Sequence, residues 1–206
     1  PRDGYSAETM ATDLLGLVDG LDLDDPVLFG HSMGGDAVAT AAAREPGLPR
    51  AVVLVEPAGL MYRNQDEADV GTTAADAREL IEGWQAGTKA DLLETDESLR
   101  RLVEEGREEL ASLLADARLR VSPKVTQLFD AALADPDKLY HRIEAPTLVL
   151  RGDLDRTARE RDAELVDPLG GFKLVHVHGA GHTVFRDARA NATQELRGFL
   201  GALDTN

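Results

Sequence analysis

The chain has 206 residues, with 38 acidic against 22 basic side chains, a formal charge of −16 and no cysteine. Its length suits one core domain with a lid and a sizeable interior, and its acidity disfavours nucleic acid and anionic membranes as partners. Without cysteine there is no disulfide, thiolate nucleophile or cysteine-based metal site; no apolar run reaches the length of a membrane span, and a cytoplasmic location is the expectation.

In chain order, Ser6 is a good N-cap for a helix to about Gly20, with Met10, Leu14, Leu17, Val18 and Leu21 as its apolar face. An acidic turn, Asp22 to Pro26, leads into Val27-Leu28-Phe29, the start of a strand. The strand ends in Gly30-His31-Ser32-Met33-Gly34, a G-x-S-x-G sequence that reads as strand, sharp turn and helix. A serine at the tip of such a turn is strained, and glycines two residues away relieve the crowding. The helix that follows, Met33 to about Arg44, aims its free N–H groups and positive end at the oxygen of a reacting carbonyl. A phosphate-cradling turn is the structural rival, but neither G-x-G-x-x-G spacing nor a Gly-Lys-Ser/Thr ending is present.

Ala51 to Val55 is an uninterrupted apolar run, as a parallel strand buried on both faces requires, and Glu56-Pro57-Ala58-Gly59 breaks it. That break falls at the strand's C-terminal end, the edge where open α/β sheets place ligands. From Met61 to Tyr140 helical periodicity and heavy charge replace the strand–helix alternation. Thr95 is placed to cap a long helix with Leu99, Leu102, Val103, Leu110, Leu113 and Leu114 on one stripe, and Ser122-Pro123 to start another carrying Val125, Leu128, Phe129 and Leu133. Sheet logic resumes with a strand over Thr147 to Leu150, a turn over Gly152 to Asp155 and a helix over Thr157 to Leu165. A strand over Phe172 to Val177, a loop over Gly179 to His182 and a closing helix over Ala190 to Leu200 complete the pattern.

Three pieces together, the elbow at Ser32, Pro146 to Asp155, and Gly179-Ala180-Gly181-His182, resemble the α/β-hydrolase superfamily in local context and in the order serine, acid, histidine. The resemblance covers nearly the whole chain. It implies an α/β fold, a mostly parallel sheet with helices on both faces, whose core is 1–60 and 141–206 and whose inserted helical cap is 61–140. It also implies that the segment before Pro1-Arg2-Asp3-Gly4-Tyr5-Ser6 normally holds the first strands and a loop donating half of the oxyanion hole, so the sheet is expected to be incomplete at its N-terminal side. An upstream segment or a second chain is then expected to cover the outer edge of the elbow strand.

In the same terms Ser32 is the nucleophile, His182 the general base and Asp155 the expected carboxylate, with Asp153 and Glu56 as alternatives. Met33 N–H supplies one oxyanion donor, and Trp84, Leu128 and Phe129 are the cap residues placed to face substrate, although apolar cap stripes more commonly form a lid core. Serine at position 32 excludes the aspartate-nucleophile branches of the family. His176 and His178 lie in phase on a strand, yet a zinc pair lacks a third ligand at metal spacing; His31 reads as packed or hydrogen-bonded and His141 as surface. Arg156 replaces the usual apolar or proline neighbour of the acid. The expected activity is hydrolysis of an ester, thioester or activated carbonyl in a small-molecule substrate through an acyl-enzyme, with no cofactor and no metal. The alternative is a ligand-binding or receptor-type member, or an inactive fragment, that keeps the triad without turnover.

Apart from Lys89, Lys124, Lys138 and Lys173 the basic residues are arginines, a pattern that fits either adaptation to high salt or genomic base composition. Self-repulsion among excess carboxylates weakens the compact state, and molar salt shortens screening to about 3 Å. A melting temperature that rises with added KCl supports the high-salt reading; one that is flat or falling supports base composition.

Overall fold

The computed structural model describes residues 4–63, 74–129 and 133–203. Contacts divide the chain into two units, Ser6–Gln65 with Leu133–Asn206, and Asp66–Ala132 with Pro1–Tyr5. The first unit holds the sheet: β1 (Val27–His31), β2 (Ala51–Val55), β3 (Thr147–Gly152) and β4 (Phe172–Val177), in the order β1-β2-β3-β4 with every neighbouring pair parallel. Its helices are α1 (Ala7–Gly20), α2 (Met33–Arg44) and the single turn α3 (Ala58–Met61). The second unit contributes α4 (Ala74–Ala86), α5 (Lys89–Thr95), α6 (Glu97–Glu104), α7 (Glu108–Arg120) and a 3₁₀ segment, Pro123–Phe129. The first resumes with α8 (Pro136–Leu139), a 3₁₀ turn Tyr140–Arg142, α9 (Arg156–Val166), α10 (Val184–Asp187) and α11 (Arg189–Leu203).

β2 and β3 are buried at every position, which is why Ala51–Val55 and Leu148–Leu150 run apolar without alternation. Successive side chains still leave by opposite faces. Val52, Leu54 and Val149 join one core with Val38 and Ala42 of α2 and Leu165 and Val166 of α9. Val53, Val55, Leu148 and Leu150 join the other with Val184, Ala192 and Phe199. The expected α/β architecture, a parallel sheet between helical layers, is therefore present.

α1 begins where its cap predicts: the Ser6 side chain accepts from Thr9 N at 3.1 Å. Its inward face differs from the expected leucine stripe. Ala7, Ala11 and Val18 are buried, whereas Leu17 and Leu21 are 56% and 59% exposed. α1 packs on the alanine-rich α2, and small residues allow those two backbones the closer approach.

In the second unit the single long helix expected from Thr95 is two helices. Asp96, not Thr95, caps α6 by accepting from Ser98 N (3.0 Å) and Leu99 N (3.1 Å). Gly106 ends it with φ +72°, its N–H bonding Val103 O while Arg107 N–H reaches Leu102 O, the paired arrangement of a glycine-terminated helix. Phase is lost at this break, so Leu99 and Leu102 pack with Ala111 and Ala115 while Val103 and Leu113 are exposed. The segment after Ser122-Pro123 is a 3₁₀ turn rather than an α-helix.

β1 lies at the sheet margin. The closing helix α11 packs on β3 and β4, leaving Val27 and Phe29 of β1 40% and 47% exposed. The Phe29 ring makes a tilted contact with Phe185, ring centroids 5.7 Å apart. A margin strand with exposed apolar side chains is a template for association. Residues 1–206 expressed alone are expected to self-associate with concentration in light scattering, and Phe29→Lys to reduce that association; a monodisperse parent chain counters the expectation.

Candidate active site at the C-terminal edge of the sheet

All four strands run parallel, so their C-terminal ends meet at one edge, and the elbow stands at the end of β1. Ser32 has φ 55° and ψ −123°, a positive-φ conformation that a non-glycine residue adopts at a strain of about 1–3 kcal/mol. Its N–H donates to Val55 O at 2.9 Å, extending the β1–β2 ladder by one residue, and its carbonyl accepts from Gly35 N at 2.9 Å. The turn is so tight that a Cβ on Gly30 would lie 2.1 Å from Gly34 O, so no side chain fits there. Met33 is the first residue of α2, where helix geometry leaves N–H groups without intrahelical acceptors.

One strand over, Glu56 follows the register pair His31↔Val55 and also has positive φ, 47°. Its side chain is 2% exposed. Oε1 accepts from Gly152 N–H of β3, and Oε2 accepts from Arg151 Nη1 at 2.5 Å. The same Oε2 lies 3.6 Å from His182 Nδ1, just beyond hydrogen-bond length. Burial, the largest effect, pushes the Glu56 carboxyl up, but His182, the Arg151 charge and the Gly152 N–H together outweigh it and hold the group below the usual glutamate value.

His182 occupies the loop between β4 and α10, with Gly179 at φ +73° supplying the bend. Asp187 fixes the flanks of that loop, accepting from Gly181 N at 3.1 Å and from the Thr183 hydroxyl at 2.7 Å. His31, the residue before Ser32, donates from Nε2 to the His182 carbonyl at 2.7 Å, and the two rings stand 4.7 Å apart. The elbow and the histidine loop are thus tied directly together.

Asp155, the expected carboxylate, is engaged elsewhere. It is the N-cap of α9, accepting from Ala158 N at 2.9 Å. Asp153 accepts from His178 Nδ1 (2.7 Å) and Arg159 (3.1 Å), and Arg156 pairs outward with Glu160 at 2.6 Å. His176 turns to Asp162 instead of forming a pair with His178. Among the described residues no group of three or more His, Asp or Glu is arranged to hold a metal ion. Trp84 packs beside the core of the second unit under Arg118, whose guanidinium carbon is 5.0 Å from the ring centre. Leu128 and Phe129 lie on the 3₁₀ segment, and their side chains fall outside the described residues.

Arg151, Asp162, His31 and Asp187, which the structure places in the network around Glu56 and His182, are not among the expected site residues. The signal for Arg151 was available: a charged residue inside the buried run Thr147–Gly152 needs a buried partner. Asp36 was a second such signal. It is 2% exposed on α2, one turn after Ser32, and both its oxygens lie within 3.0 Å of Gly59 N. Burial pushes this carboxyl up from 3.8 to about 6, against hydrogen bonds from the Gly59 and Ala134 N–H groups.

The sequence profile of the alpha/beta hydrolase family matches residues 1–193. The AB hydrolase superfamily protein YisY of Bacillus subtilis is 28% identical over 205 residues, 97% of this chain and 75% of that protein. The 2-(acetamidomethylene)succinate hydrolase of Mesorhizobium japonicum is 26% identical over 208 residues, 98% of this chain and 73% of that protein. Among solved structures, the enol-lactonase from Burkholderia xenovorans superposes with a TM-score of 0.69 at 25% identity, over 96% of this chain and 74% of that one.

Asp36 yields a pH dependence whose sign runs against the usual acid-denaturation direction. Its folded pKa is about 6 and its ordinary value 3.8, so the folded state holds the proton more tightly. The stabilising contribution is complete below the lower value and is lost as pH rises through the higher one. Asp36→Asn removes this titration, so its stability relative to the parent should improve by about 1 kcal/mol between pH 5 and pH 8 in urea denaturation. A difference that does not change with pH would show that Asp36 titrates normally.

Proposed function

The chain belongs to the alpha/beta hydrolase family, and from that premise we propose a serine hydrolase in which Ser32 is the nucleophile, His182 the general base and Glu56 the carboxylate that orients it. Ser32 attacks the carbonyl carbon of an ester, thioester or activated carbonyl in a small organic substrate, and His182 Nε2 takes the hydroxyl proton. Negative charge then develops on the carbonyl oxygen, where the Met33 N–H and the positive end of α2 stabilise it. Collapse of the tetrahedral intermediate expels the leaving group, which receives the proton from His182 and leaves an acyl group on Ser32. Water, deprotonated by the same imidazole, releases the acid and restores the serine.

The observation that carries this reading is the joint geometry of two adjacent strand ends. Ser32 is presented at positive φ on β1, and the buried Glu56 on β2 faces His182 Nδ1. A carboxylate held ionised by its neighbours suits the task of stabilising an imidazolium. The named relatives support hydrolysis, and two of them act, by name, on a substituted succinate and an enol-lactone.

A fluorophosphonate should label Ser32 alone, and Ser32→Ala should abolish labelling and turnover of p-nitrophenyl esters; unchanged turnover in that variant removes the proposal. His182→Ala should lower the rate by orders of magnitude. Glu56→Gln should lower kcat by about 10²–10⁴-fold through loss of the imidazole's orientation. Asp155→Asn should change the rate little, since asparagine also caps helices well. The reverse ranking of these two variants would return the acid to Asp155.

A further inference from the structure

We infer that Asp162 of α9 is a positioning residue for the Glu56–His182 pair, acting through Arg151: it takes up the arginine's charge so that Glu56 keeps its own for the histidine. This inference rests on the proposed roles of Glu56 and His182. The geometry is a file of charged groups passing beneath the sheet edge. His182 Nδ1 lies 3.6 Å from Glu56 Oε2, the same oxygen accepts from Arg151 Nη1 at 2.5 Å, and Arg151 Nε donates to Asp162 Oδ2 at 2.9 Å. His176 Nε2 meets that Asp162 oxygen at 3.1 Å. The three middle side chains are 2–4% exposed, whereas those of His182 and His176 at the two ends are 43% and 18% exposed.

Charge counting gives the inference its content. Oε1 of Glu56 is occupied by the Gly152 N–H, so Arg151 and His182 share Oε2. Were Glu56 and Arg151 alone, they would form a neutral pair, and an imidazolium beside them would see almost no stabilising field. With Asp162 paired to the other arm of the guanidinium, the buried trio carries one net negative charge, and its outward end faces His182. A trio needed only for packing has no reason to be charged, since well-packed apolar residues of similar volume serve as well or better.

The surroundings contain other charges that the test must hold constant. Asp162 faces Arg151 from β3, His176 from β4, the buried Tyr140, and Arg63, whose own pairs are Asp137 and Glu164. On its own helix, Arg159 is turned to Asp153. His182 faces Glu56, the His31 ring at 4.7 Å, and Asp187 beneath its loop, with Arg186 paired to Asp187. A substitution at 162 leaves all of these side chains in the protein and changes only the partner seen directly by Arg151 and His176.

The test is the imidazole titration of His182 by NMR, its resonance assigned by absence in His182→Gln. Asp162→Asn keeps the shape and an acceptor but removes the charge, so the titration midpoint of His182 should move to lower pH by about one unit relative to the parent. The double variant Arg151→Met with Asp162→Asn removes both charges of the inner pair, leaves Glu56 with its own, and should bring the midpoint back to the parent position. An unchanged midpoint in folded Asp162→Asn would overturn the inference. So would a double variant that stays shifted, which is also the decisive reading if the single variant does not fold. Fluorophosphonate labelling of the parent at Ser32 keeps the two claims apart. Label without the midpoint shift removes the role of Asp162 alone; the shift without label removes the hydrolytic mechanism and leaves the coupling.

Discussion

A carboxylate with 2% exposure must find a donor for each oxygen inside the protein, and Glu56 meets its partners on two different segments. Gly152 N–H and Arg151 come from the end of β3, and His182 comes from the loop after β4. Glu56 itself ends β2, one residue beyond the register pair that aligns it with the end of β1 and Ser32. One side chain therefore connects the ends of β2 and β3 with the loop after β4, and the β1–β2 register brings the end of β1 alongside. Parallel topology makes this possible, because only strands running the same way bring all their ends to one edge.

Two buried carboxylates show how neighbours, not depth, decide the charge state. Asp36 and Glu56 are equally inaccessible to water. Asp36 is met by backbone N–H groups, which do not offset desolvation, and its pKa rises to about 6. Glu56 is met by a guanidinium and an imidazole as well, and its pKa falls. Charged partners add a Coulombic attraction that strengthens in a low-dielectric interior, while neutral donors add only their dipoles. The first carboxylate is thereby suited to holding Gly59 beside α2, and the second to remaining an anion at neutral pH.

Much of the architecture was legible because local signals and burial agree. The apolar runs at Ala51–Val55 and Thr147–Leu150 could only be buried strands, and Gly30-His31-Ser32-Met33-Gly34 announced a turn whose strain the backbone angles bear out. What stayed hidden was tertiary. Asp155 was the expected acid, yet whether a carboxylate after β3 reaches across the edge or turns back to cap α9 depends on where the helix starts, a boundary that sequence patterns locate only within a few residues. Glu56 stood beside it as an alternative, and its direction toward Arg151 and His182 depends on a positive φ that nothing in Glu-Pro announces. The break at Gly106 was overlooked because leucines on both sides continued a plausible stripe, although a glycine within a charged helical run is itself a stop signal.

Strain at the elbow persists because the backbone around it is overdetermined. Ser32 and Glu56 each hold positive φ, and each N–H is committed to the ladder, to Val55 O and Leu150 O at 2.9 Å. The Ser32 carbonyl is also claimed, by Gly35 N and, at 3.3 Å, by Ala58 N from the start of α3. Relaxing either residue toward ordinary β or α angles would break ladder bonds at both strand ends, each worth about 1 kcal/mol net and more where the freed group stays buried. That loss is comparable to the 1–3 kcal/mol of strain each residue stores, so the strained form wins only while both strands remain in register. Register in turn is set by the buried alternation along β2 and β3, where a one-residue slip would carry Val52, Leu54 and Val149 to the opposite face. The position of Ser32 is thus a consequence of the sheet's core, several residues away.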